Sequence, residues 1–162
     1  MPVKANKPIP DGTHSVTAHL VYNGDCRQAI KFYQRVFGAV VEGEIMSGFD
    51  GNSVMHAQIK IGDTHLMLAD GVPGSWTKGP TDHATASLFL YTANCDEVYK
   101  KALAEGGKVE QEMMDAFWGD RMGSIKDPFG HVWGIASHQW DLTPDEMAKA
   151  QQEWMKGITA GQ

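Results

Sequence analysis

Residues Thr17–Gly38, TAHLVYNGDCRQAIKFYQRVFG, decide the fold because their pattern occurs twice in the chain. A run of strand-forming side chains leads into a segment whose apolar residues have helical spacing, and Gly38 ends that segment. Residues 86–107, ASLFLYTANCDEVYKKALAEGG, repeat this order at an offset of about 68 residues and end at Gly106 and Gly107. A strand, a helix and a glycine stop, used twice, predict two modules of the same design.

The sequence after each helix predicts three strands rather than another helix. Turn signals separate the last two strands of each set, at Gly62-Asp63 and at Asp127-Pro-Phe-Gly130. The predicted fold class is therefore α+β, with two tandem βαβββ modules at residues 14–70 and 84–138. The predicted strands after the helices are Val40–Met46, Val54–Ile61, Thr64–Ala69, Lys108–Met113, Arg121–Lys126 and His131–Ser137.

Two segments lie outside this pattern. Residues 70–83 are rich in Gly and Pro and predict the linker between the modules, with Trp76 either as a lid over a pocket or as an anchor of the linker to the core. Thr143-Pro-Asp-Glu146 is a capping box with proline at the first helical position. Residues 141–162 are therefore expected to form an appended C-terminal helix, which packs either on its own domain or on a second subunit.

Charge and composition restrict the partners. The 162 residues include 14 basic and 20 acidic side chains, and this net charge of -6 gives no reason to expect a nucleic-acid partner. No segment approaches the ~18 apolar residues of a membrane span, so we expect no membrane partner and a cytoplasmic location. Cys26 and Cys95 match neither a disulfide framework nor a zinc-binding spacing, and reduced thiols are expected.

Five short segments carry a resemblance to a known family: AIKFYQRVFGA (29–39), MHAQIKIGD (55–63), WGDR (118–121), DPFGHVW (127–133) and TPDE (143–146). In this order and spacing they resemble the vicinal-oxygen-chelate superfamily of glyoxalases, bleomycin-resistance proteins and dioxygenases over residues 14–140, and within it the PhnB-like branch. The superfamily includes lyases, isomerases, dioxygenases, antibiotic-inactivating transferases and drug-sequestering proteins. The resemblance therefore implies a fold, in which the eight strands form a curved sheet around a central cavity, without choosing a reaction.

The resemblance also implies a metal site, with His and Glu ligands from the first and last strand of each module. His19 matches the histidine position of the first module. The other three positions fall on Met67 or Leu68, on Ser87 and on Gly134, and none of these is a good ligand for such an ion. One ligand in four predicts that no metal and no other cofactor is bound, although a divalent ion held by His19 and His56 stays an alternative.

A set of residues is predicted to contact a ligand in the central cavity. Strand alternation places His56, Gln58 and Lys60 on the cavity side near His19. If the protein is an enzyme, His19 is the best candidate for the general base, because imidazole titrates near neutral pH. The predicted ligand-binding residues are His19, His56, Gln58, Met67, Phe117, Trp118 and Arg121.

Several other polar residues have structural interpretations. His65 and His138 lie near predicted strand ends and are expected to be exposed or to cap. Asp120 and Arg121 are expected either to pair with each other or to bind an anionic ligand. Cys26 and Cys95 occupy matching helix starts, where a small residue is needed, and this is favoured over a nucleophilic role.

The leading hypothesis for function is a PhnB-like protein that binds a small molecule in its central cavity. It either sequesters that molecule or is an enzyme of unknown reaction. The alternative is a metal-dependent lyase, isomerase or dioxygenase of the glyoxalase type with nonstandard ligands. A purely structural dimerisation module is the third hypothesis, and it would not need a cavity.

We predict that the protein is a homodimer, because small curved sheets leave strand edges and apolar surface that association covers. Light scattering at micromolar concentration is expected to give twice the mass of the chain. A monomer mass under these conditions would contradict the prediction.

Overall fold

The computed structural model describes residues 2, 4–10, 13–75 and 77–160, with side chains described up to residue 157. Each predicted strand and helix is present. The ends of the strands and of the first two helices differ from the prediction by two residues at most, and the C-terminal helix begins at Pro144, three residues after the predicted start. The elements are β1 (His19–Tyr22), α1 (Cys26–Phe37), β2 (Val40–Ser47), β3 (Val54–Ile61), β4 (Thr64–Asp70), β5 (Ser87–Tyr91), α2 (Cys95–Ala104), β6 (Lys108–Asp115), β7 (Asp120–Lys126), β8 (Val132–His138) and α3 (Pro144–Ala160).

The chain divides into two compact units at Pro80 and Thr81. The first sheet has the strand order β1-β4-β3-β2, and the second sheet has the order β5-β8-β7-β6. The first and last strands of each module run parallel, and the other neighbours are antiparallel. The predicted α+β fold of two βαβββ modules is confirmed, with the eight strands divided between two sheets. That the modules enclose one central cavity stays a prediction.

Helix α1 packs on β3 and β4 through one apolar face. Ile30 and Tyr33 of the helix are buried, as are Ile59 of β3 and Leu68 of β4. Each such side chain contributes roughly 1.5–3 kcal/mol by leaving water. The hydroxyl of Tyr22 donates to that of Tyr33 across 2.9 Å, which satisfies two polar groups inside this core. The helix ends at Gly38, whose φ of 67° is the left-handed conformation predicted for a glycine stop.

The buried carboxylate of Asp70, at the end of β4, holds the start of α1. Its Oδ1 accepts hydrogen bonds from the backbone N–H of Gly24 at 2.9 Å and of Cys26 at 3.0 Å. Its Oδ2 accepts the N–H of Val54, the first residue of β3, at 2.7 Å. One side chain therefore connects β4, the start of α1 and the start of β3.

Helices α1 and α2 begin without a side-chain cap bond. Asp25 occupies the N-cap of α1 but makes no side-chain cap bond, because its Oδ1 accepts the N–H of Asn23 instead. Asn94 likewise makes no cap bond at α2, since its side-chain amide donates to Glu97. The predicted capping box is confirmed at α3, where Thr143 and Glu146 exchange side-chain to backbone hydrogen bonds.

Helix α2 packs on the three strands β6, β7 and β8 of the second module. Tyr99 of the helix and Trp133 and Ile135 of β8 are among the buried residues of this unit. At the start of α2, the N–H of Cys95 donates to the hydroxyl of Ser137 at 3.1 Å, and that hydroxyl donates to the carbonyl of Thr92 at 2.6 Å. A neutral serine thus holds the second helix start.

Helix α3 is mostly exposed and is tied back to its own module at two places. The ring of Trp154 lies 5.4 Å from that of Phe117. His138, the last residue of β8, donates through Nδ1 to Asp120 at 2.7 Å and contacts Asp141, in the connection before the helix, through Nε2 at 3.0 Å. None of the described helices is both long and apolar enough to cross a membrane.

Replacing Asp70 with Asn tests the role of the buried carboxylate. An amide offers only one acceptor oxygen, so either the start of α1 or Val54 then faces an NH2 group. Each buried donor left without a partner costs about 1–3 kcal/mol, and we expect the free energy of unfolding to fall by this amount in urea titrations. Asp82→Asn, at an exposed loop position, is the matched control. An equal effect of the two substitutions would contradict the role.

Replacing His138 with Gln is expected to destabilise the fold at low pH but not at high pH. Hydrogen bonds to Asp141 and Asp120 raise the pKa of His138 above its ordinary value of 6.5. The charged ring therefore stabilises the fold fully below that value, and the contribution disappears as pH rises through the raised pKa. Urea unfolding over a pH series measures the difference. The exposed His83→Gln variant should show no such trend, and a pH-independent difference for His138→Gln would refute this role.

Candidate functional site

The candidate site is the face of the first sheet that points away from α1. Along β3, Ala57, Ile59 and Ile61 are buried, whereas the intervening polar side chains are half-buried on the other side. The same alternation in β4 turns Leu66 and Leu68 into the core. We call the opposite side the helix-free face. It carries His19, Glu42, His56, Gln58, Lys60, His65 and Met67.

The strand register aligns four of these residues in one row. His19 of β1 is the partner of Met67 in β4, Met67 is the partner of Gln58 in β3, and Gln58 is the partner of Glu42 in β2. The register decides between the two alternatives for the second metal position. Met67 lies beside His19, while Leu68 is fully buried on the α1 side.

The described residues do not fit the metal site that the resemblance implies. Beside His19 stands a thioether, which is a poor ligand for a hard or borderline divalent ion. In the second module the positions assigned to the site, Ser87 and Gly134, are not opposite each other, because Ser87 pairs with Val132 and Gly134 pairs with Phe89. Neither pair contains a carboxylate or an imidazole. Among the described residues, no group of three His, Cys, Asp or Glu side chains is placed to hold an ion.

The two histidines of the alternative metal site are not neighbours. His19 is in β1 and His56 is in β3, with β4 between them. Two strand spacings amount to roughly 10 Å, and His56 is also displaced along its strand from Gln58, which shares the row of His19. The structure does not bring the two imidazoles together around one ion.

Glu42, in this row, and His65, beside it, form a carboxylate–imidazole pair on the helix-free face. Nδ1 of His65 is 2.5 Å from Oε2 of Glu42, and the side-chain amide of Gln58 donates to the same oxygen at 3.0 Å. The hydrogen bond from Gln58, and to a smaller degree the contact with His65, lower the pKa of Glu42. The expectation of an exposed or capping His65 is wrong, since its side chain is only 13% exposed and is bonded within the sheet.

The predicted aromatic residues stand together in the second module. Phe117 and Trp118 meet edge to face with ring centres 5.0 Å apart. Trp118 packs against a small cluster containing Met122 and Ala136, and its indole N–H donates to Asp120 at 2.9 Å. The two side chains form an aromatic wall in which the indole N–H of Trp118 already has a partner. That they contact a ligand stays a prediction.

The buried Asp120 is a hydrogen-bond acceptor for three side chains. Besides Trp118 and His138, the hydroxyl of Tyr91 donates to it at 2.8 Å. Although burial alone would raise the pKa of Asp120, hydrogen bonds from His138, Tyr91 and Trp118 lower it. The expected pairing of Asp120 with Arg121 is wrong, because adjacent strand residues point to opposite faces.

Arg121 lies on the α2 side of the second sheet and not with the aromatic wall. Its guanidinium makes two hydrogen bonds to Asp96 of α2, at 2.6 and 2.8 Å, and a third to Asp115 at 3.1 Å. These carboxylates raise the pKa of Arg121 and occupy its planar donor groups. The predicted ligand contact is therefore corrected to an ion pair that fastens α2 to the sheet.

The cysteines add no reactive group to the site. Both cysteines are buried at their helix starts. Burial, followed by the charge of Asp70, raises the pKa of Cys26 to about 12, so its thiol is not ionised at neutral pH. A cavity of about 270 Å³ in the first module is lined by residues such as Phe49, Met55 and Val72 and by none of the predicted site residues. Trp76, predicted as a lid or an anchor, lies outside the described residues.

Sequence reasoning missed Glu42, Tyr91 and the roles of His65 and Asp120. Glu42 and His65 are in β2 and β4 and meet across β3, so their contact depends on two registers at once. The register of β2 also shifts after Glu42, which obscures its alternation. Tyr91 could have been found, because strand alternation places it on the face opposite to Leu90.

Known proteins share this architecture. An uncharacterized protein of Mycobacterium bovis is 33% identical over 141 residues, covering 84% of this chain and 91% of that protein. The crystal structure of protein PA1353 from Pseudomonas aeruginosa has a TM-score of 0.65 and 25% identity, covering 79% of this chain and all of that one. The PhnB protein from Bacillus cereus is similar in fold, with a TM-score of 0.63, 19% identity and coverage of 76% and 99%.

The match to a family is broad. The family model of the Glyoxalase/Bleomycin resistance protein/Dioxygenase superfamily matches residues 14–135, which include both βαβββ modules. The motifs, the two sheets and the relatives agree with this match. The chain therefore belongs to the Glyoxalase/Bleomycin resistance protein/Dioxygenase superfamily, the vicinal-oxygen-chelate proteins that its sequence resembles.

Proposed function

We propose that this protein binds a small organic molecule through the helix-free face of its first sheet without the metal centre of its family. The observation that carries the proposal is the pairing of His19 with Met67. Position 67, which would hold the second ligand of a chelating pair, is the apolar thioether of Met67, while His19 remains on the same face. Such a surface suits an organic ligand with both polar and apolar parts.

The polar atoms of this face are available for a ligand. Among the described residues, the rings of His19 and His56 have no hydrogen-bond partner, and neither has the side-chain carbonyl of Gln58. They lie beside the flexible side chain of Met67, which adapts to irregular apolar shapes. Donors, acceptors and an apolar contact within one sheet face support small-molecule binding over a purely structural role.

The resemblance to the PhnB-like branch supports the same function. The five motifs have the order of that branch, and the fold of the PhnB protein from Bacillus cereus matches most of this chain. We propose a cytoplasmic, homodimeric protein that either sequesters its ligand or acts on it by chemistry that needs no metal. In an enzyme, His19 is one candidate for the general base, since it occupies the position where the family holds its ion.

Replacing His19 with Ala tests the proposal. Compounds from a chemically diverse panel are first selected by the rise that they cause in the melting temperature of the wild-type protein. The dissociation constant of a selected compound is expected to rise about tenfold in His19→Ala, the effect of one lost hydrogen bond of roughly 1.4 kcal/mol. His14→Ala, an exposed loop substitution, should bind as the wild type does. No binding of any compound would contradict the proposed function.

Metal content separates this proposal from the metal-dependent alternative. Untagged wild type and His19→Ala are dialysed against a mild chelator and then compared by elemental analysis. We expect the two proteins to have the same low content, because a single imidazole does not retain a divalent ion. Near-equimolar zinc, nickel, manganese or iron in wild type that disappears in the variant would favour a metal-dependent lyase, isomerase or dioxygenase.

A further inference from the structure

We propose that His65 and Glu42 form a general-base pair that removes a proton from the molecule bound on the helix-free face. In this pair His65 is the catalytic residue and Glu42 is a positioning residue that acts through it. The proposal rests on the proposed function, because the substrate is the ligand of that face. It places the chemistry on β2 and β4 and not on His19.

The contacts hold the imidazole ring in one orientation. Glu42 and His65 reach across β3 from the strands on either side of it, and Nδ1 lies 2.5 Å from Oε2 of the carboxylate. Gln58, in the strand between them, donates to the same oxygen at 3.0 Å. A short bond to a carboxylate that is itself held by a neighbour fixes both the position and the rotation of the ring.

These contacts also determine which ring nitrogen carries the proton. A carboxylate only accepts hydrogen bonds, and the bond from Gln58 favours the ionised form of Glu42. Nδ1 of His65 must therefore be the donor in the short bond, because two acceptors 2.5 Å apart would repel each other. The amide nitrogen of Gln58, 3.2 Å from Nδ1, is then a neighbour of that nitrogen and not a donor to it. In the neutral ring this leaves the lone pair on Nε2, which is the nitrogen that would accept a proton.

Nε2 of His65 is accessible. It has no hydrogen-bond partner among the described residues. The side chain is only 13% exposed, yet the described residues include no buried side-chain nitrogen or oxygen that lacks a partner. An unpaired Nε2 in a largely buried side chain must then reach the surface. This combination of a fixed ring and a reachable lone pair is the geometry that general-base catalysis requires.

A second histidine–carboxylate contact lacks this property. His138 is bonded to Asp120 through Nδ1 and to Asp141 through Nε2, so both of its nitrogens are engaged. Its side chain is about half exposed, but no lone pair is presented. Of these two contacts, only the one on the helix-free face leaves a base free to act.

The neighbouring charges indicate the class of substrate. Lys60 is the register partner of His65 and lies on the same face, where it would stabilise a negative charge. The substrate is therefore a small molecule with a weakly acidic C–H or O–H group whose conjugate base is anionic. The other ionisable groups of the face are His19 on β1, Glu42 on β2 and His56 on β3.

The proposed step is a balanced proton transfer. The C–H or O–H bond of the substrate breaks, and its electron pair stays on the substrate. The proton forms a new bond to Nε2, which gives an imidazolium whose charge the Glu42 carboxylate compensates. The proton later returns to another atom of the substrate or passes to water, which restores the neutral ring.

The test uses 5-nitrobenzisoxazole, a carbon acid that needs no natural substrate to be known. Removal of its ring proton by a base converts the C–H pair into a nitrile bond, breaks the N–O bond and releases a coloured phenolate. The full-length protein is expected to accelerate this reaction. His65→Gln should lower kcat/KM about tenfold or more, in line with the size of general-base effects, while the exposed-loop variant His83→Gln should match the wild type.

Glu42→Gln tests the positioning role separately. The glutamine amide can still accept a hydrogen bond from Nδ1 but cannot compensate the imidazolium charge, so kcat should fall about tenfold while KM stays within about twofold. Glu42→Asp should restore part of kcat. Nitrogen-15 spectra of wild type should show the proton of neutral His65 on Nδ1, and this measurement stands even if a variant folds poorly.

Three results would overturn the proposal. These are a wild-type rate no higher than that of free imidazole at equal concentration, a His65→Gln rate within about twofold of wild type, or a neutral His65 with its proton on Nε2. Equilibrium binding of the phenolate product distinguishes a failure of the general-base pair from a failure of small-molecule binding. Binding without His65-dependent turnover refutes the general base alone, whereas failure of the product and of every panel compound to bind refutes the proposed function too.

Discussion

The first module depends on the placement of one charged group inside its core. The carboxylate of Asp70 ends β4 and accepts the backbone N–H groups that begin α1 and β3. Because a buried charge is costly unless it is fully hydrogen-bonded, these three segments have one favourable arrangement around it. That arrangement sets the position of β3 and β4, and therefore of Gln58, His65 and Met67 on the face opposite to the helix.

The second module solves the same problem with a neutral group. The hydroxyl of Ser137 accepts a hydrogen bond from the first N–H of α2 and donates one to the carbonyl of Thr92, so no charge is buried at this point. The charged contacts of this module lie elsewhere. Arg121 joins α2 to the sheet through Asp96, and Asp120 accepts hydrogen bonds from side chains on the opposite face. Two modules of one design thus differ in electrostatics, and the proton-transfer chemistry that we infer belongs to the first alone.

Sequence patterns predicted the elements and most strand faces, because hydrophobic alternation is local. The burial of Ala57 and Ile59, and the placement of His56 and Gln58 on the other face, follow from the two-residue period of a strand alone. The register between strands is not local, and a shift by one residue reverses the face of every side chain. For this reason Met67 could not be distinguished from Leu68. The contact of Glu42 with His65 needs two registers and a shifted strand, and no single segment encodes it.

The pairing of Gly134 with Phe89 bears on how this protein could change over time. A Cβ atom added at Gly134 would overlap the ring of Phe89. An acidic side chain at position 134 would have to displace this ring, which packs against the ring of Tyr91. Gaining that ligand would therefore disturb aromatic packing before any ion is bound, which favours new chemistry from the side chains already present on the first sheet.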